Sequence, residues 1–351
     1  MQKKNCMKIP YLIPCVLMVA CGQEPEKAAE PVAAPAPVSY KTIGKIERMS
    51  PELDSILAAD AKIEVLADSF TWAEGPVWME NLNCLLFSDV PENKIYKWKE
   101  GQGVSLYLSP SGFTGDKTDS PEPGSNGLAT NSRGLLAMCQ HGDRRVVRLS
   151  GDPASPKDSY FEVLANAWNG KRFNSPNDLC YDAQFRLYFT DPPYGLKDHE
   201  KSADKEIPFQ GVYMRTFEGT VVLLDSTLKF PNGIALTPDG KKLFVSNSDP
   251  EKAIWKVYDV NLDGTLAHGK VFKDVTSMVN GGLKGLPDGL KINQKGIIFA
   301  TGPGGVHIYK MDGTLLGRIN PGEATANCAF GGDGYLYMTS DMYLCRVKLM
   351  K

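Results

Sequence analysis

Phe230-Pro-Asn-Gly-Ile-Ala-Leu-Thr-Pro-Asp-Gly-Lys-Lys-Leu-Phe-Val-Ser-Asn247 reads as a β-hairpin. Gly233 to Leu236 is a short apolar strand, and Leu243 to Ser246 is its return. Between them, Thr237-Pro-Asp-Gly240 is turn chemistry, with proline to set φ and glycine to take the left-handed conformation. Asn232 stands just ahead of the first strand, where packing gives no reason for a polar side chain. The same phrase recurs along the chain. Upstream it is Glu74-Gly-Pro-Val-Trp with Phe87-Ser-Asp89, Asn126-Gly-Leu-Ala with Met138-Cys-Gln-His141, and Asn177-Asp-Leu-Cys with Phe189-Thr-Asp191. Downstream it is Asp288-Gly-Leu-Lys with Phe299-Ala-Thr-Gly302, and Asn327-Cys-Ala-Phe with Met338-Thr-Ser-Asp341. Six copies at a spacing of roughly 40 to 55 residues signal a propeller or solenoid, in which each unit buries its face only against its neighbours. The strand-rich, turn-rich content selects an all-β, six-bladed β-propeller.

Closure of the ring is also legible. The sixth repeat supplies strands near Asn327, Tyr335 and Tyr343 to Leu349, and the chain then ends one strand short of a four-stranded blade. Lys62-Ile-Glu-Val-Leu66 alternates, and this N-terminal strand supplies the missing edge, tying the two ends together. Ahead of it, Ser50 to Ala59 reads as a short helix with Ser50 as N-cap and Pro51 at its first position.

The N-terminus carries export signals. Lys3, Lys4 and Lys8 precede an apolar run from Ile9 to Ala20 that is too short to span a bilayer. Leu17-Met-Val-Ala-Cys21-Gly22 resembles a bacterial lipobox, which implies cleavage before Cys21 and lipid on its sulfur. The expected organisation is a lipoprotein signal peptide over 1–21, a Pro/Ala/Glu-rich tether over 22–48 and the propeller over 49–351. The expected location is exported and lipid-anchored in a bacterial cell envelope, with membrane contact only through Cys21. A net charge of −2 gives no basic surface for nucleic acid. Beyond Cys21 there are five cysteines and no Cys-x-x-Cys pair, which reads as buried free thiols.

In a propeller, residues just before the first strand of each blade and just after the second converge at one mouth of the central channel. The first set is Glu74, Asn126, Asn177, Asn232, Asp288 and Asn327, and the second is Asp89, His141, Asp191, Asn247 and Asp341. So many polar groups in one concavity are costly unless something binds there. Asp191, in a proline-fixed segment, either joins the site or caps a turn. Asp239, Asp263, Asp312 and Asp333 precede glycines in hairpins and read as turn residues. Oxygen ligands from Glu74, Asn177, Asn232 and Asp288 suit a hard divalent cation. Ca²⁺ is the first choice, with Zn²⁺, Mn²⁺ or Mg²⁺ as alternatives. Such an ion either polarises a carbonyl or phosphoryl oxygen or only staples the blades.

Glu-Gly-Pro-Val-Trp at Glu74, Ser-Pro-Asn-Asp at Ser175 to Asp178, Pro-Asn-Gly at Pro231 and Pro-Asp-Gly at Pro287 carry a resemblance. With them, over all six repeats from about Ile63 onward, the chain resembles the regucalcin/gluconolactonase (senescence-marker-protein) family of six-bladed propellers. Ser125-Asn-Gly-Leu, His141-Gly-Asp-Arg-Arg-Val and Phe189-Thr-Asp-Pro-Pro-Tyr-Gly-Leu196 are similar to its bacterial gluconolactonase-like members. The resemblance implies one divalent ion held by Glu74, Asn177, Asn232 and Asp288, and hydrolysis of a small-molecule sugar lactone. Asp288 or His141 then takes the proton of the attacking water, and Asn126, His141, Arg172 and Asp191 bind substrate. Regucalcin-like members place an arginine where this chain has Ser175, with Arg172 nearby. Two other readings keep the fold: the same metal acting on another lactone, ester or phosphotriester, and a propeller that binds a ligand or partner without chemistry. No Gly-x-Ser-x-Gly element is present, which disfavours an acyl-enzyme.

Overall fold

The computed structural model describes residues 10–11, 39–156 and 160–350. The lipobox at Cys21 and the segment 22–38 lie outside the described residues. Each of the six repeats becomes one antiparallel sheet, and the sheets stand round an axis as blades I to VI. Blade IV grows from the hairpin that opened the sequence reading. Pro231–Leu236 pairs with Lys242–Asp249, with Leu236 opposite Leu243 and Ile234 opposite Val245. The turn closes as its residues require: Gly240 donates its N–H to the Thr237 carbonyl at 2.8 Å and takes φ 68°. Lys252–Val260 and Leu266–Asp274 complete the blade outward.

The first strands of successive blades touch one another round the ring, so they line the axis. No single core fills the middle. Six apolar clusters lie instead between neighbouring blades. The Tyr188, Ile234 and Val245 cluster joins blades III and IV, and the Phe244, Trp255 and Ile298 cluster joins IV and V. The apolar alternation of each strand is spent on these wedges, which leaves the axial ends of the first strands free to carry polar residues.

The ring closes through Ile63–Ala67, which pairs antiparallel with Tyr343–Lys348. Pro51–Ser55 is a 3₁₀ helix with the Ser50 hydroxyl accepting the Glu52 N–H at 3.2 Å, shorter than the helix expected over 50–59. One boundary is corrected. The last part of the expected tether folds into the propeller: Lys41–Ile43 adds a strand outside Ile63–Ala67, and Lys45–Arg48 adds one to blade V. Ile43 and Ile46 pack on the cluster between blades V and VI, and Arg318 Nε donates to Glu47 at 2.8 Å. All five cysteines in the propeller are free, and only Cys180 is not fully buried.

His307, in Gly305–Tyr309, is buried and satisfied at both nitrogens, with the Pro303 carbonyl 2.9 Å from Nε2 and the Tyr309 hydroxyl 3.1 Å from Nδ1. Burial pushes its pKa down to about 4. The unfolded chain binds this proton near pH 6.5 and the folded chain does not, so stability falls as pH drops through that window. The expected loss from this residue between pH 7 and pH 5 is about 2 kcal/mol. Urea midpoints of the protein and of His307→Gln at the two pH values check it. An equal acid loss in the variant contradicts it.

Candidate functional site at one end of the channel

The site positions sit where the strands are irregular. In blades I, II, IV and VI the pairing of the first two strands slips beside Glu74, Asn126, Asn232 and Asn327. A bulge re-aims a side chain out of the alternation, which is how these residues leave the sheet face for the axis. Asn177 and Asp288 reach the axis from just ahead of Leu179–Tyr181 and Leu290–Ile292. The glycine that follows allows neighbouring blades to approach. A Cβ on Gly75 would lie 2.0 Å from the Asn126 carbonyl oxygen, and one on Gly233 would lie 2.2 Å from that of Asp288.

Each second strand then holds the blade that follows. Ser88 donates its hydroxyl to the Asn126 carbonyl at 2.9 Å, and Thr190 donates to the Asn232 carbonyl at 2.7 Å. Ser246 does the same for Asp288, and Thr301 for Ala326 at 2.8 Å. Thr190→Val removes the bond behind Asn232 without changing shape. It is expected to weaken divalent-cation binding roughly tenfold, measured by calorimetric titration, with the fold unchanged by circular dichroism. Unchanged affinity would remove the hydroxyl from the site's support.

Glu74, Asn126, Asn177, Asn232 and Asp288 converge on one cavity of about 490 Å³. Glu74, Asn126, Asn177 and Asn232 are almost wholly buried, and Asp288 is half-buried with an inaccessible Oδ1. Burial pushes the Glu74 carboxyl up to about 8, against the Gly75 N–H that donates to it at 2.9 Å, and Asp178 and Glu122 add like-charge repulsion. Burial likewise holds Asp288 well above the usual carboxylate range, reinforced by Glu74, Asp178 and Glu122. Among the cavity-lining residues, three buried side-chain oxygens have no hydrogen-bond partner: Asn126 Oδ1, Asn177 Oδ1 and Asp288 Oδ1. The Asn232 amide donates to Ser248 Oγ at 3.0 Å. Orphaned acceptors beside crowded carboxylates fit a hard cation with oxygen ligands. The four residues expected to hold it, Glu74, Asn177, Asn232 and Asp288, all line this cavity, together with Asn126.

Several expected positions lie elsewhere. Asn327 sits with Asp178 and Lys291, its Oδ1 accepting Lys291 Nζ at 3.1 Å and its Nδ2 3.4 Å from Asp178 Oδ2. Three of the residues after the second strands cap their own blades instead of facing the cavity. Asp89 accepts the Thr71 and Trp72 N–H groups at 3.1 Å, Asp191 those of Asn174 and Ser175 at 2.8 Å, and Asn247 that of Phe230 at 2.9 Å. Asp191, completely buried and raised to about 7 by that burial, therefore braces the loop before Asn177 and does not touch the cavity. Arg172 is exposed and lines a different cleft with Arg144 and Lys197, so no substrate contact at the cavity falls to it. His141 is buried behind the cavity wall, with Nε2 3.4 Å from Asn177 Nδ2 and Nδ1 3.1 Å from Glu122 Oε2.

Glu122, Tyr194 and an apolar flank of Pro250, Val279, Leu283 and Leu286 also line the cavity. The sequence reading missed all of them. The length of the loop over 109–124 was the one signal for Glu122. Its path is fixed by Asn93, whose Oδ1 accepts the Ser111 and Gly112 N–H groups at 3.0 and 2.7 Å.

Comparison with known proteins gives one consistent likeness. The profile described as SMP-30/Gluconolactonase/LRE-like region matches residues 72–342. The gluconolactonase of Zymomonas mobilis is 39% identical over 99% of this chain and 97% of its own length. The diisopropyl-fluorophosphatase of Loligo vulgaris is 28% identical over 61% of this chain and 68% of its own. Among solved structures, a gluconolactonase from Xanthomonas campestris superposes with a TM-score of 0.76 at 28% identity, covering 90% of this chain and 99% of that one.

Proposed function

The chain belongs to the SMP-30/gluconolactonase/LRE-like family as a lactone-hydrolysing enzyme of the gluconolactonase type, and we propose that it opens a sugar lactone at a divalent cation held by Glu74, Asn177, Asn232 and Asp288. The observation that carries this reading is the set of partnerless oxygens at one cavity, Asn126 Oδ1, Asn177 Oδ1 and Asp288 Oδ1, beside the buried Glu74 carboxylate. A cation bound there supplies Lewis acidity to a carbonyl oxygen and offsets the charge that grows on it.

The chain's own residues do the rest. Asn126 lines the cavity and contacts the substrate. The Asp288 carboxylate, half-buried at the cavity, takes the proton of the attacking water. Glu122 faces the cavity, with His141 Nδ1 3.1 Å behind its Oε2. His141, out of direct reach, orients Asn177 and Glu122. His141→Gln is therefore expected to lower kcat by roughly 10- to 100-fold without a new pH dependence. A fall beyond about a thousandfold, with the neutral limb of the pH profile gone, assigns the base role to His141 instead.

The function itself is tested by acid release from D-glucono-1,5-lactone by the protein from Tyr40 onward, with Ca²⁺ and with chelator, spontaneous opening subtracted. Turnover that collapses in chelator is the expected result. No turnover with any lactone contradicts it. The lipobox reading adds a location, anchored in the cell envelope through Cys21, for which lipid labelling lost in Cys21→Ser is the measurement.

A further inference from the structure

We propose that Pro250, Val279, Leu283 and Leu286 form a subsite for an apolar arm on the substrate, so that the enzyme takes alkyl-substituted lactones as well as sugar lactones. The inference rests on the lactonase reading of the same cavity.

The cavity divides chemically. Glu74, Asn177 and Asp288 bring polar side chains to it, while Pro250, Val279, Leu283 and Leu286 bring apolar ones. A sugar hydroxyl laid on that flank gives up water and finds no partner, which disfavours it. An alkyl chain there loses nothing and is removed from water. The space is also generous. About 490 Å³ falls within the range of pockets that enclose much larger molecules than one lactone ring, roughly 300 to 1,000 Å³.

The flank is a built wall. Thr276–Asn280 forms a short helix after blade IV, anchored where Val275 donates its N–H to the Ala253 carbonyl at 2.9 Å. Met278, Val279 and Leu286 pack on the cluster between blades IV and V. The Gly304 N–H donates to the Lys284 carbonyl at 2.8 Å, and Lys284 pairs with Glu323 at 2.5 Å across to blade VI. Leu283, beside these anchors, is still 37% exposed at the cavity. With Pro250, Val279 and Leu286 lining the same cavity, this uncovered leucine gives an apolar substituent a surface to bury against. The reaction is unchanged: water adds to the carbonyl carbon, the carbonyl–ring oxygen bond breaks, and the ring oxygen leaves protonated as the product's hydroxyl.

Two measurements on the full chain test the subsite. With Ca²⁺ present and each methylene about half covered by the flank, kcat/KM is expected to rise roughly twofold per methylene, or about 30-fold, from δ-valerolactone to δ-decalactone. In the double variant Val279→Thr, Leu283→Ser the gain is expected to shrink below about fivefold. Independently of turnover, the unreactive lactam 6-pentylpiperidin-2-one is expected to bind at least about tenfold tighter than piperidin-2-one by calorimetry. A flat chain-length profile in lactam binding, or a double variant that keeps the whole gain, overturns the subsite. Chain-length-dependent lactam binding without hydrolysis of any lactone leaves the subsite standing and refutes the lactonase reading. Gluconolactone turnover with flat lactam binding does the reverse.

Discussion

Glu74→Gln is expected to cut lactone turnover by at least about 100-fold, while making the metal-free protein more stable. Glu74 is buried among Asp178, Asp288 and Glu122, and its ionised form is disfavoured by burial and by those neighbours. In chelator, an amide of the same shape is spared the cost of keeping a carboxyl in that place, either ionised among like charges or held neutral against its ordinary pKa. In Ca²⁺, the wild-type carboxylate gains the ion and the variant forfeits most of that gain. Melting temperatures of the two proteins should therefore cross: the variant higher in chelator, the wild type higher in Ca²⁺. Destabilisation of the variant in both conditions would mean that Glu74 is held by contacts other than an ion, and the proposed ligand set would fall.

The second large effect concerns the chain's beginning. Removal of everything before Ser50 is expected to lower the melting temperature by about 5 to 10 °C and to promote aggregation. Such a cut strips Lys41–Ile43 from blade VI and Lys45–Arg48 from blade V, and uncovers two strand edges. It also removes Ile43 and Ile46 from an apolar cluster and leaves Arg318 without Glu47. A chain starting at Tyr40 retains all of these contacts and serves as the control. If the two truncations melt together, the segment 41–48 behaves as the tether that its composition suggested.

The fold was legible because the repeat states it six times, and a misreading of any one hairpin would not have changed the architecture. The cavity-lining positions at the blade entries were legible for a related reason. Asparagine or an acid ahead of an apolar strand, followed by glycine in four of the six copies, has no use in packing. The positions after the second strands misled. Asp89, Asp191 and Asn247 are as polar and as regularly placed, but free backbone N–H groups lie within reach of them, and they bond there instead. Arg172 was drawn toward the site by its nearness in sequence to Asn177, whereas the intervening loop turns it to another cleft. Glu122 and the Val279–Leu286 wall come from segments outside the repeat, whose paths no periodicity fixes. The strands at 41–48 are short and rich in lysine, and their two isoleucines give too little alternation to announce a sheet.

The hydroxyls of Ser88, Thr190, Ser246 and Thr301 bear on how such a protein is inherited and rebuilt. The blade looks like the module, yet each of these hydroxyls serves the blade after its own. A blade exchanged between relatives would arrive with its cavity residue but without the seam that aims it. The portable unit is instead the second strand of one blade together with the entry of the next. A circular permutant opened in an outer-strand loop keeps every seam whole, whereas one opened between a second strand and the following entry severs a cavity residue from its support.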